Sequence, residues 1–455
     1  MERSPVRTPF PSLRPAGLRT ATAALLAAPL IAAPTAAQAD SGPQAGPGAP
    51  GDCLAADGAT VEEERLSGDV PQEILRRSGF DGMAADFTRA LCSAPNLKAA
   101  ENAVRRHGDR LWSAAVARVQ GTGPYAEASQ GTSKGAGRDG SEDRLSAGDD
   151  RPLYWARLGM ASALRRWEPS FDLADADRAR LIEDLERVSR GQDDMDFPGD
   201  PNMKRVVVTG FDPFRLDGDM RRSNPSGAAA LALDGAVIET EAGPAVVQTA
   251  VFPVRWRDFA DGMVESALAP HYTGDRPADA VFTVSQGREG RFDLEAHNGA
   301  WRGGSDDNER VGDEGMIPIP EGAPTVTPQP QWSDSTIDRP AVVEAVSDAP
   351  FPVVDNTEVT EIPAGGTEPV TRPDGPTEGS QARAGGGGSY LSNEIAYRNT
   401  LLRDATGRDI PAGHIHTPIL HFGEGSDAVT DPSFEEMRDS ITEQTTLIVE
   451  ASVRD

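Results

Sequence analysis

The stretch "GGGGSYLSNEIAYRN", Gly385 to Asn399, runs a string of glycines into an amphipathic segment. Such a segment delivers one small side chain, Ser392, to the first turn of a helix, where unpaired backbone N–H groups gather. A hydroxyl there suits nucleophilic attack when a base stands within hydrogen-bond reach and the base has an orienting partner. It equally suits helix capping, since serine is among the best N-cap residues. Two imidazoles follow in "GHIHTP", His414 and His416; spaced by two, they share one face of a strand. Together with His421 they supply half of a metal site, but no matching ligand cluster accompanies them, so neither a metal nor another cofactor is expected. Glu295 of "RFDLE" alone reads as a solvated charge. Phe211 and Phe214 of "GFDPF" alone read as core residues.

The elements that must position these groups form two blocks. From about 70 to 190 the pattern is helical. Leu97, Ala100, Val104, Leu111, Ala115 and Val119 keep a spacing of three to four, as do Trp155, Leu158, Ala163, Leu164 and Trp167, then Leu181, Ile182, Leu185 and Val188. Residues 121–150 are a loop by composition, and the block as a whole (70–195) predicts a small helical domain. From residue 203 to 455 strands alternate with helices. Val206–Val208 is a short buried strand, and strands are expected at 245–254, 278–287 and 351–354. Asn224 is placed to cap a helix that has Pro225 at its first position. Further helices are expected at 258–268, 393–403 and 433–445. This pattern predicts an α/β fold, a three-layer α/β/α sandwich around a mixed, mostly parallel sheet. "TGFDPF" and "SQGREGRFDLE" both leave strands at the carboxyl end, where such sheets bind ligands. The stretch 303–388, rich in Gly, Pro, Thr and acidic residues, predicts a poorly ordered insertion.

The chain's 455 residues are enough for two or three domains, and its 37 prolines and 47 glycines point to long loops. A formal net charge of −28 excludes nucleic acid and anionic membranes as natural partners.

At the N-terminus Arg3, Arg7, Arg14 and Arg19 precede the apolar run 21–33, and "AQA" at 37–39 places small residues at the −3 and −1 positions of a cleavage site. This predicts a signal peptide cleaved after Ala39, a flexible leader over 40–69 and a secreted protein with no membrane contact after cleavage. In an oxidising compartment the chain's two cysteines, Cys53 and Cys92, are expected to form one disulfide.

"VTGFDPF", "NPSG", "QGREGRFDLE", "SYLSNEIAY" and "GHIHTP", in that order over roughly 204–450, resemble the motifs of the pyroglutamyl peptidase I family, which removes N-terminal pyroglutamate. The helical block and the signal segment are not part of that family's compact domain. The resemblance implies a nucleophile, base and orienting carboxylate at Ser392, His416 and Glu295, with serine where the family has cysteine, and makes His414 a bystander. It also implies a ring pocket built from Phe211 and Phe214, with Gln286, Tyr390 and Leu391 beside it. A flat, half-apolar lactam suits two aromatic faces and a few amide hydrogen bonds. The implied function is a hydrolase of pyroglutamyl peptides or of a related amide or ester. The alternative is an inactive relative that keeps the pocket to bind such ligands, because a serine hydroxyl is far less acidic than a thiol and needs full proton removal during attack.

Overall fold

The computed structural model describes residues 53–127 and 144–454. The expected signal segment and the middle of the 121–150 loop lie outside these residues.

Valines at 206, 207 and 208 are fully buried because their strand, Lys204–Phe211, lies in the interior of a sheet covered on both faces. Seven strands form that sheet, in the spatial order Val353–Asn356, Phe292–Glu295, Ala412–Thr417, Ala280–Gln286, Lys204–Phe211, Gly243–Phe252, Val237–Thr240. Neighbours are parallel except at two joints, Ala412–Thr417 with Phe292–Glu295 and Val237–Thr240 with Gly243–Phe252. Val207 belongs to one core, with Phe259, Leu268, Leu391 and Ile395. Val206 and Val208 belong to the other, with Leu233, Val342, Phe434 and Ile448. The result is the three-layer α/β arrangement with a mostly parallel sheet.

The helices at 97–119, 151–166 and 175–188 occupy the segments whose periodicity predicts them. Their core gathers Leu111, Trp112, Trp155, Leu164 and Trp167. It also includes Ala230 and Leu231 of the helix Pro225–Leu233, so this helix is buried between the helical block and the sheet. Its start is as expected: the Asn224 side chain accepts from Ser226 N–H at 3.2 Å, followed by Pro225. Cys53 and Cys92 form a disulfide with Cα atoms 5.8 Å apart.

Two expectations need correction. The leader expected over 40–69 is ordered from Cys53 onward. Thr60 and Glu63 close a capping box on the helix Val61–Glu64, and Glu62 is buried among arginines. The stretch 303–388, expected to be poorly ordered, carries a helix, Arg339–Ala345, and several strands, one of which, the strand expected at 351–354, is the sheet's edge strand Val353–Asn356. The stretch contributes Ile317, Ile337, Val342 and Val346 to apolar cores, and specific polar contacts add to them. Buried Glu361 accepts from Arg372 at 2.9 Å and from both the N–H and the hydroxyl of Thr377 at 2.6 Å.

Candidate active site

The strand registers put the chemistry on one face of the sheet. His414 pairs with Thr283 on one side and Glu295 on the other; His416 pairs with Ser285 and Asp293. Paired residues point the same way and alternate residues share a face, so all six side chains project together. The helix Leu391–Thr406 packs on the strands Ala280–Gln286 and Ala412–Thr417 and brings Ser392 to that face.

His416 Nδ1 lies 2.6 Å from Glu295 Oε1. Glu295 is fully buried, and its other oxygen accepts from Asn356 Nδ2 at 2.6 Å. Asn356 stands at the end of the edge strand, directly beside Glu295 in register. The same amide also reaches the Gly386 carbonyl at 3.2 Å, which ties the glycine run to the carboxylate. That run comes so close to the pair that side chains are excluded: a Cβ on Gly386 would overlap Glu295 Oε2, and one on Gly387 would stand 2.9 Å from His416 Cε1. The glycines of "GGGG" are thus a close approach of backbone to the carboxylate–imidazole pair.

Ser392 is not the N-cap of its helix. Tyr390 holds that position, and Ser392 lies one residue inside the first turn. Its hydroxyl donates to the Gly387 carbonyl at 3.1 Å. Asn393 N–H and Glu394 N–H both go to the Tyr390 carbonyl, at 3.0 and 3.1 Å. The helix itself supplies no acceptor for the N–H groups of Leu391 and Ser392.

A cavity of about 320 Å³ opens over these groups, lined by Phe211, Phe214, Ser285, Gln286, Tyr390, Leu391, Ser392 and His416 among others. That volume fits a ligand the size of one modified amino acid. Glu295 stands behind His416, outside the lining. Phe211 is buried and stacks on Phe259 at 6.1 Å between centroids. Phe214 lies 6.5 Å from the Tyr390 ring, which meets Trp256 edge-on at 5.1 Å. The Tyr390 hydroxyl donates to the Asp306 carbonyl at 3.0 Å, and burial pushes its acidity far down. Gln286 Oε1 accepts from Leu420 N–H at 3.3 Å, so its amide NH₂ is the end left for a ligand.

The structure adds features that the sequence reading missed. Asn356 is one. Another is a buried ion cluster between the helical block and "GFDPF". Arg190 reaches Asp212 at 2.7 Å, Arg157 reaches Glu186 at 3.0 Å, and Arg255 reaches Glu186 at 2.6 Å and Glu62 at 3.2 Å. Asp212 lies between the two phenylalanines, so the helical block holds the aromatic wall through it. The third is His414, which is fully buried and bonded through Nδ1 to Thr283 Oγ1 at 2.7 Å and through Nε2 to Ser285 Oγ at 2.8 Å.

Fold and site together define an α/β protein with a serine, a histidine and a carboxylate gathered at one cavity beside the sheet. The chain belongs to the PA0049 family. It matches the model of the PA0049 N-terminal domain over residues 43–186 and that of the PA0049 C-terminal domain over 205–341 and 326–421. It is 33% identical over 473 residues to uncharacterized protein PA0049 of Pseudomonas aeruginosa, covering 83% of each chain. Among solved structures it is similar to a mutant pyrrolidone carboxyl peptidase from the hyperthermophile Pyrococcus furiosus, with 20% identity, 55% of this chain and 98% of that one covered, and a TM-score of 0.37. Pyroglutamyl peptidase I of Bacillus amyloliquefaciens is similar at 21% identity, covering 55% of this chain and 97% of its own, also with a TM-score of 0.37.

Proposed function

We propose that this protein is a hydrolase that cleaves an amide or ester by acyl transfer through Ser392, with pyroglutamyl peptides as the first candidate substrates. The observation that carries this reading is the buried Glu295–His416 contact of 2.6 Å, anchored by Asn356 and opening on the same cavity as Ser392. A buried carboxylate fixes one imidazole tautomer and stabilises the cation that forms during attack. In the reaction Ser392 Oγ bonds to the scissile carbonyl carbon as its proton passes to His416 Nε2. The oxyanion faces the first-turn N–H groups of Leu391 and Ser392. His416 returns the proton to the leaving nitrogen or oxygen as that bond breaks, leaving an acyl ester on Ser392. Water, deprotonated by His416, then releases the acid and restores the hydroxyl. Phe211, Phe214 and Tyr390 provide apolar faces for a flat ring, and the Gln286 amide provides a donor for its carbonyl. We further propose that the protein is exported, on the strength of its signal-like N-terminus and of the cysteine pair.

A second reading, a binding protein for the same ligands, is favoured by the Ser392 hydroxyl, which donates to the Gly387 carbonyl. A working nucleophile must turn from that carbonyl to His416. Treatment of the folded protein with a fluorophosphonate probe, followed by peptide mapping, separates the two. Labelling at Ser392 supports the hydrolase, and unlabelled folded protein supports the binder.

A further inference from the structure

His414 and Ser285 have no part in the proposed acyl transfer, yet they form a polar chain that ends at the cavity. Its polarity depends on the His414 tautomer. The Thr283 hydroxyl meets the Gly413 carbonyl at 3.3 Å, and a carbonyl only accepts. In the tautomer that keeps this bond, Thr283 accepts from His414 Nδ1–H, 2.7 Å away. His414 is fully buried; burial first, and His416 second, hold its basicity well below the ordinary histidine range. It is thus neutral, and in that tautomer Nε2 is bare. Ser285 Oγ, 2.8 Å from Nε2, donates to it. The Ser285 proton is thereby occupied, and what remains for the cavity that Ser285 lines is its lone pairs.

We propose that Ser285 is a specificity residue: oriented by His414 and Thr283, its oxygen accepts a hydrogen bond from an N–H of the bound ligand. This rests on the reading of the cavity as an amide site. A lactam presents an N–H beside its carbonyl, and the cavity offers an acceptor at Ser285 beside a donor at Gln286. A lactone or a carboxylate would bring oxygen lone pairs against those of Ser285. The same contact also has the form of a serine–histidine dyad, but a proton taken by His414 would sit on a fully buried imidazole. Its partner there is a hydroxyl rather than a carboxylate, and the His416 ring lies 4.6 Å away. Recognition fits that environment and nucleophilic attack does not.

The test is calorimetric titration of the full mature protein with L-pyroglutamamide and with its ring-oxygen analogue, 5-oxotetrahydrofuran-2-carboxamide. Wild type is expected to prefer the lactam by about 10- to 100-fold, the size of one buried hydrogen bond made against one frustrated. Ser285→Ala should cut that preference to within about threefold by weakening lactam binding alone. Thr283→Val keeps the shape of the core and the Ser285 oxygen but removes the acceptor for Nδ1–H. The proton then moves to Nε2, Ser285 becomes a donor, and the preference should shrink or invert. Thermal unfolding confirms that each variant is folded. Lactam preference unchanged in folded Ser285→Ala or Thr283→Val overturns the specificity role alone, as does fluorophosphonate labelling at Ser285. Wild type binding neither probe overturns the amide-site reading and this inference with it.

Discussion

Asn356 and Glu295 sit side by side in parallel strands, and the 2.6 Å bond between them fixes the carboxylate that His416 contacts. The geometry of the Glu295–His416 pair therefore depends on the edge strand Val353–Asn356. Glu295→Gln keeps volume and one acceptor but removes the charge that balances an imidazolium. If the site is a hydrolase, turnover should fall on the order of a thousandfold or more with KM little changed. Asn356→Ala should give a smaller loss, on the order of tenfold, since the carboxylate keeps its charge but loses a fixed orientation. Steady-state kinetics on a chromogenic pyroglutamyl amide reads both; equal rates for Glu295→Gln and wild type remove the carboxylate from the mechanism.

The glycine run offers a comparison within three residues. Gly387→Ala places a methyl 2.9 Å from His416 Cε1, whereas Gly388 has open space around it and a φ of +83°. Gly387→Ala should lose ligand binding and activity together. Gly388→Ala should cost about 1 kcal/mol of stability through its backbone conformation and leave the Glu295–His416 pair in place. Denaturant titration alongside activity measurements tests this, and an active Gly387→Ala would contradict the close approach.

How much of this was legible beforehand follows from which signals are local. Val206–Val208 read as a buried strand, and Asn224–Pro225 as a helix start, because period and capping chemistry are properties of adjacent residues. Asn356 was hidden because it lies in a segment whose Gly, Pro and acid content reads as disorder. Its order comes from contacts that composition does not show: Glu361 with Arg372 and Thr377 inside the segment, and Val353–Asn356 paired with Phe292–Glu295 from outside it. The motif resemblance makes His414 a bystander. Its two-residue offset from His416 places it on the same face, but its partners Thr283 and Ser285 lie on a strand 131 and 129 positions earlier, and only the register brings them together. Ser392 read equally well as a cap or a nucleophile. The structure puts Tyr390 at the cap, a two-residue shift that sequence patterns do not resolve.

The disulfide closes a separation of 39 residues between Cys53 and Cys92. Restricting an unfolded loop of that length is worth about 4 kcal/mol in the chain-entropy account. The double variant Cys53→Ala/Cys92→Ala should lose stability on that scale, and thiol titration of the denatured, unreduced protein should find no free thiol. Two free thiols in protein recovered from an oxidising compartment would refute the pairing.

His271 packs edge-on against Phe197 at 5.7 Å, and burial pushes it down to about 4. In the unfolded chain it titrates near the ordinary 6.5, so between those values the unfolded state holds the extra proton. Its contribution is therefore fully present above about pH 6.5 and is lost as pH falls towards 4, by roughly 3 kcal/mol in total. His271→Phe, which keeps an aromatic ring against Phe197, should remove that loss. Asp150, buried and pushed up to about 6, works in the opposite direction, so the informative quantity is the difference between wild type and variant. Measured by urea denaturation, that difference should favour His271→Phe progressively from pH 7.5 to 4; a difference independent of pH would refute the assignment.

Ser392→Ala and Ser392→Cys decide what the first turn of the helix Leu391–Thr406 does. The Ser392 hydroxyl points its proton at the Gly387 carbonyl, so its activation requires a rotation that costs that bond, about 1 kcal/mol. Ser392→Ala removes one oxygen and should abolish release of the chromogenic group while leaving ligand binding and fold intact. Ser392→Cys replaces the hydroxyl with a group that His416 deprotonates more readily. If the cavity is shaped for a sulfur nucleophile, this variant should match or exceed wild type. If it is tuned for oxygen, the larger atom is displaced and the rate should fall, since sub-ångström shifts cost large factors. Inactive wild type with an active Ser392→Cys would identify the natural chain as a binding protein with an otherwise complete catalytic frame. Equal turnover by wild type and both variants would remove Ser392 from the chemistry.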